Sequence, residues 1–144
     1  MPGKIKILVA DDEESIVKLL DLTLTASGFS VFKTYSGHEA IETVAREHPD
    51  LVFLDISMPG MNGYEACEML RKSPENGSLP IVMLTGKGGD SDIVQALEHG
   101  ADGYVIKPFV EKELLNTIES LLGKAKAGKL PSQFYFEKMK PKPK

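Results

Sequence analysis

The chain has one cysteine, no long hydrophobic run and, over its first 123 residues, little positive charge to offset its acids. A single thiol, Cys67, cannot close an internal disulfide, so the expected setting is a reducing compartment. No stretch approaches the roughly 20 apolar residues that a membrane-spanning helix needs. Met1-Pro2-Gly3-Lys4 leads straight into a strand-like run without the apolar core of a signal peptide. Cytoplasmic location is the expectation. Self-similarity at a fixed period is also missing, which excludes a solenoid. Residues 1–123 hold ten Lys/Arg against twenty Asp/Glu, and that acidic balance argues against a nucleic-acid-binding surface there. Residues 124–144 are the reverse, with seven lysines against Glu137 alone.

What is present is an ordinary globular composition, 42% hydrophobic and 26% charged, in a length suited to one domain with one core. Apolar runs of strand length occur at Ile5–Ala10, Ser30–Tyr35, Leu51–Asp55, Pro80–Thr85 and Gly103–Ile106. Helical periodicity fills the intervals. Ile16, Leu19, Leu20 and Leu24 mark a helix over Glu14–Ser27 that stops at Gly28. Ser36-Gly-His-Glu39 has the spacing of a capping box and opens a helix to about Glu47. Further helices are expected at Tyr64–Arg71, Ser91–Glu98 and Val110–Leu122. Five strand–helix units with near-continuous apolar strands predict an α/β protein, a doubly wound parallel sheet covered on both faces. Right-handed crossovers then bring every strand's carboxyl end to one edge, where active groups of open α/β sheets lie.

That edge would gather Asp11, Asp12, Asp55, Thr85 and Lys107. Asp55 closes the run Leu51-Val-Phe-Leu54 and precedes the loop Ile-Ser-Met-Pro-Gly-Met-Asn-Gly63, a poor place for packing and a good one for chemistry. Two carboxylates about 4 Å apart repel by roughly 4 kcal/mol at an effective dielectric of about 20, so a third acid nearby calls for a cation. Mg²⁺ takes oxygen ligands and is typically held by one or two carboxylates, with Mn²⁺ as a possible substitute. Glu13 and Glu14 are read as favourable charges at the start of a helix. For Asp11 and Asp12 alone, helix capping and metal binding both stay open. Asp55 could serve as a nucleophile toward phosphorus, with Lys107 as a compact counter-charge. Base rates favour a trans bond before Pro108, with the proline simply in a helix's first turn, but its placement at the site edge makes it a candidate cis peptide. Thr85 could donate its hydroxyl to a phosphoryl oxygen. Tyr104, taken alone, is a half-buried aromatic.

These residues together resemble the receiver domain of two-component response regulators over about residues 4–123. The pieces are Asp11-Asp12, Leu54-Asp55-Ile-Ser-Met-Pro-Gly-Met-Asn-Gly63, Thr85 and Tyr104-Val-Ile-Lys107-Pro108, in that order and spacing. The resemblance implies a flavodoxin-like, five-stranded sheet of order 2-1-3-4-5 with five helices. It implies that Asp55 accepts a phosphoryl group from a sensor histidine kinase or phosphotransfer protein. Asp11, Asp12, Asp55 and the Ser57 backbone carbonyl would hold Mg²⁺, Lys107 and Thr85 would contact the phosphoryl group, and Tyr104 would turn inward. The surface of the fourth helix, fifth strand and fifth helix would then change its choice of downstream target. One departure is the loop Gly86-Lys-Gly-Gly89, where many relatives carry alanine after the hydroxyl residue; its glycines predict mobility.

Other classes fit less well. A dehalogenase-like phosphatase needs a second acid two residues after its nucleophile, and Ser57 stands there. A flavin module needs a Ser/Thr/Gly phosphate loop after the first strand, where Asp-Asp-Glu-Glu would repel phosphate. A turnover enzyme is therefore not expected. Residues 124–144 are read as a basic, flexible tail, too short for a DNA-binding domain, in which Phe134, Tyr135, Phe136 and Met139 could dock a partner.

Overall fold

The computed structural model describes residues 3–86 and 90–133. Five strands alternate with five α-helices: β1 (Lys6–Ala10), α1 (Glu14–Ala26), β2 (Ser30–Thr34), α2 (Gly37–Glu47), β3 (Leu51–Asp55), α3 (Gly63–Arg71), β4 (Ile81–Thr85), α4 (Asp90–Glu98), β5 (Gly103–Ile106) and α5 (Glu111–Lys126). A short 3₁₀ turn, Pro74–Asn76, lies between α3 and β4. All strand pairings are parallel and the order is β2-β1-β3-β4-β5. The expected fold is therefore present, with one addition to the five expected helices: among the described residues the chain is helical again at 131–133.

The two-residue period of the strands divides the core. Leu8, Ala10, Val52, Leu54, Ile81 and Met83 face α2, α3 and α4, where Ala40, Val44, Ala66, Cys67, Leu70 and Ala96 meet them. Ile7, Val9, Leu51, Phe53, Val82 and Leu84 face the other way, onto Val17, Leu20 and Leu24 of α1 and Leu114, Ile118 and Leu121 of α5. Every residue of β3 and β4 is buried, as a sheet covered on both faces requires. Each fully buried Leu, Ile, Val or Phe contributes about 1.5–3 kcal/mol relative to exposure.

Local signals set the helix ends. Gly28 adopts φ +95° to turn the chain after α1, and His48 takes the left-handed conformation before Pro49. Ser36 Oγ accepts from the Glu39 amide at 3.1 Å, which is half of the expected box. A reciprocal box forms instead at α3: Glu65 N donates to Asn62 Oδ1 at 2.9 Å, and Asn62 N donates to Glu65 Oε1 at 3.2 Å. Among the described residues no helix is long and apolar enough to cross a membrane.

The tail boundary needs correcting. The last helix does not stop near Leu122 but continues to Lys126, across Gly123. Ala125 packs on the α1–α5 core cluster, and Leu130 is fully buried in it. The described part of the expected tail, residues 124–133, is thus folded onto the domain, because its few apolar residues are held by core contacts. Phe134, Tyr135, Phe136 and Met139, like loop residues 87–89, lie outside the described residues.

Candidate functional site

The sheet delivers charged groups to its carboxyl edge. Asp11 follows β1, Asp55 ends β3, Thr85 ends β4 and Lys107 follows β5. The parallel register sets Asp55 beside Leu84 and Thr85 beside Ile106, so residues far apart in sequence meet at one level. Carboxylate oxygens of Asp11, Asp12 and Asp55 all lie within 4.8 Å of one another. Lys107 Nζ is 2.7 Å from Asp11 Oδ2 and 3.1 Å from Asp55 Oδ1. Asp11 and Asp55 are buried, while Asp12 is exposed at the rim.

Backbone contacts fix these groups. The Glu13 amide donates to Asp11 Oδ1 at 3.0 Å, and the Lys107 amide donates to the Thr85 carbonyl at 2.7 Å. Thr85 itself is buried at its strand end. The Lys107–Pro108 peptide is cis. Tyr104 is half-buried against the cluster beneath α2, α3 and α4. Ser57 supplies a backbone hydrogen bond to the Asp55 carboxylate.

Asp11 and Asp55 share the Lys107 ammonium, with the Asp12 carboxylate close by, and the titration of Asp55 reflects it. Burial first, and then the Asp11 charge, raise its pKa above the ordinary carboxylate value, against the opposing pull of Lys107. Lys107 is itself disfavoured as a cation by burial, but its close contacts with the Asp11 and Asp55 carboxylates outweigh that, so its pKa is raised. Asp11 Oδ2 is buried and makes no aligned hydrogen bond, its close contact being the Lys107 ammonium. A buried carboxylate oxygen without an oriented donor, inside a cluster of hard oxygen ligands, suits Mg²⁺.

Two features escaped the sequence reading. Gly63 stands against the phosphoacceptor candidate's backbone: a Cβ built on it would lie 2.4 Å from the Asp55 carbonyl oxygen. A Pro/Gly loop signals a turn but not this approach. The second is a buried ion pair at the opposite edge of the sheet, Arg71 Nη2 to Asp102 Oδ2 at 2.7 Å. No local pattern marks it. Cys67, by contrast, is inert packing, its thiol pKa pushed up by burial to about 12.

The family model for the response regulator receiver domain matches residues 7–119. Among curated proteins, the chain is 46% identical over 119 residues to a "Probable transcriptional regulator ycf27" of Porphyridium aerugineum, and 47% identical over 120 residues to one of Cyanophora paradoxa. These alignments take in 83% of this chain but only 48% and 49% of the relatives, so the chain spans about half their length. Among solved structures, a putative response regulator from Chloroflexus aurantiacus superposes with a TM-score of 0.80 at 33% identity, covering 84% of this chain and 99% of that one. Chemotaxis protein CheY4 of Vibrio cholerae gives 0.79 at 29%, covering 83% and 99%. The expectation of no DNA-binding domain therefore narrows to these 144 residues, because about half of each curated relative named as a transcriptional regulator lies outside the matched region. Sequence, sheet order and the acidic edge agree, and the chain belongs to the response regulator receiver domain family.

Proposed function

We propose that the protein is a phosphorylation-activated signalling switch in which Asp55 accepts a phosphoryl group from a histidine kinase's phosphohistidine, or from a phosphotransfer protein, in a Mg²⁺-dependent reaction. The observation that carries this reading is the convergence of Asp11, Asp12 and Asp55 within 4.8 Å, with Lys107 Nζ 3.1 Å from Asp55.

An Asp55 carboxylate oxygen forms the new P–O bond as the donor's P–N bond breaks, and the electron pair of that bond stays on the imidazole. Asp11, Asp12, Asp55 and the Ser57 carbonyl would hold Mg²⁺, which supplies positive charge to the phosphoryl oxygens and lowers the repulsion between nucleophile and donor. Lys107 offers its ammonium to a phosphoryl oxygen and anchors the incoming charge. Thr85 moves so that its hydroxyl donates to another, and Tyr104 turns into the space that this movement opens. The same pocket later loses the group to water, so Asp55 is restored without turnover of an outside substrate.

Phosphorylation adds about −1.5 to −2 charges, and shifting a two-state protein from mostly inactive to mostly active takes roughly 5.5 kcal/mol of differential stabilisation. New charge-assisted bonds at Lys107 and Thr85 are the source of that difference. The responding surface lies over α4, β5 and α5, where Val94 and Ile106 are exposed. The ycf27 relatives favour control of transcription as the output, through a DNA-binding unit outside these residues or on a partner. Incubation with Mg²⁺ and a small acyl phosphate tests the reading. It should add about 80 Da, one phosphoryl group, to the protein but not to Asp55→Asn. An unmodified protein, or equal modification of the variant, would sink it.

A further inference from the structure

Opposite the acidic pocket, at the amino edge of the sheet, residues 127–133 cross from the α1–α5 layer to the α3–α4 layer. Leu130 is fully buried in the α1–α5 cluster. Two residues on, Ser132 is clasped. Its amide donates to Asp102 Oδ1 at 2.9 Å, and its hydroxyl oxygen accepts from Arg71 Nη2 at 3.2 Å. Arg71 also donates through Nε to the Gly100 carbonyl, through Nη1 to the Asn76 and Leu79 carbonyls, and through Nη2 to Asp102 Oδ2. Those five bonds use all five guanidinium N–H groups. Asp102 Oδ2 accepts in addition from the Ile81 amide at 2.9 Å.

Strap and switch share two strands. Ile81 begins β4 and Thr85 ends it; Asp102 precedes β5 and Lys107 follows it. The clasp also grips Gly100, at the junction of α4 and β5. Any shift of β4 and β5 that follows phosphoryl contact by Thr85 and Lys107 displaces Ile81 and Asp102 together. A network whose donors and acceptors are all matched tolerates such a shift poorly, since hydrogen bonds weaken steeply outside their normal geometry.

We infer that residues 127–133 form a strap whose attachment through Leu130 and Ser132 is coupled to the phosphorylation of Asp55. The docked strap belongs to the arrangement in which Asp11 and Asp55 hold Lys107, and phosphorylation loosens it. This rests on the phosphoacceptor reading of Asp55. By linkage the coupling is reciprocal: releasing the strap must favour the phosphorylated arrangement by the same factor. Whatever follows residue 133 then has its point of departure set by the state of Asp55.

Amide hydrogen exchange over 127–133, read by mass spectrometry on the full chain, tests the inference. The Asp55-phosphorylated protein should exchange there at least about fivefold faster, the low end of ordinary allosteric coupling, and Asp55→Asn treated with the same donor should not. The reverse arm uses Ser132→Pro, which removes the amide donated to Asp102, and the milder Leu130→Ala. Both should bind beryllofluoride, a non-covalent phosphoryl mimic, at least about fivefold more tightly than the parent. A confirmed adduct with unchanged or slower exchange overturns the strap coupling alone, as does unchanged mimic affinity in both variants. Absence of any adduct overturns the Asp55 reading and the coupling with it.

Discussion

The two edges of the sheet each hold a buried aspartate against a cation, and the pairs behave as opposites. At the amino edge the Arg71 and Asp102 side chains are 10% and 0% exposed, every guanidinium N–H has an acceptor, and both Asp102 oxygens accept. At the carboxyl edge one ammonium serves Asp11 and Asp55, with Asp12 close by, and Asp11 Oδ2 lacks an aligned donor. Full satisfaction turns a buried ion pair into a fixed structural joint. Incomplete satisfaction leaves negative charge that a cation relieves, which is what a site for metal and phosphoryl chemistry requires.

The contrast is broken most sharply at the amino edge. Asp102→Ala leaves Arg71 buried without its counter-charge and deprives the Ile81 and Ser132 amides of their acceptor. Removing one partner of a buried pair costs about 3–5 kcal/mol, to be read from urea unfolding. A loss under about 1 kcal/mol, the range of exposed pairs, would show that the joint is not structural. Next in size is Gly63→Ala. Its methyl group would sit 2.4 Å from the Asp55 carbonyl oxygen, backbone that has no room to yield. The expected cost is about 1–3 kcal/mol, with slower phosphorylation of Asp55 by a small donor at matched Mg²⁺. Unaltered stability and rate would mean that the α3 start does not position Asp55.

The difference between the edges also explains what could be read from the sequence. Carboxyl-edge residues announce themselves, because Asp55 and Lys107 interrupt apolar runs at strand ends where packing offers them nothing. Strand and helix positions were legible for the same reason of period: β3 begins and ends at Leu51 and Asp55 as expected, and β1 differs only at its first residue. Strand order was not contained in periodicity and came only through the family resemblance. At the amino edge each member looks ordinary in its own neighbourhood. Arg71 is a basic residue in the last turn of a helix, and Ser132 lies in a lysine-rich segment. Their partner Asp102 is 31 residues from one and 30 from the other. Only the folded crossing of the strap makes them a unit, so over residues 124–133 long-range contacts outweigh the linker-like composition.

The smallest effect separates the edges by pH. Asp55 has a raised pKa in the folded protein, so between the ordinary carboxylate value, about 3.9, and that raised value the folded state binds more protons than the unfolded. Its contribution is therefore complete at low pH and is lost as pH rises through the window. Lys107, also raised, keeps its contribution through neutrality and loses it only at alkaline pH, as pH rises from the ordinary lysine value of 10.5 through its own raised one. In chelator, the parent protein should match Asp55→Asn at acidic pH and fall behind it by about 0.5–2 kcal/mol at neutral pH, the usual gain from relieving an unfavourable charge. Mg²⁺ prefers the ionised carboxylates, so adding it should close that gap for the parent and do little for the variant. Urea midpoints for both proteins across pH, with and without the ion, measure all four corners. A gap that ignored Mg²⁺ would mean that the acids of the carboxyl edge are balanced by the protein alone, and the two edges would then be alike.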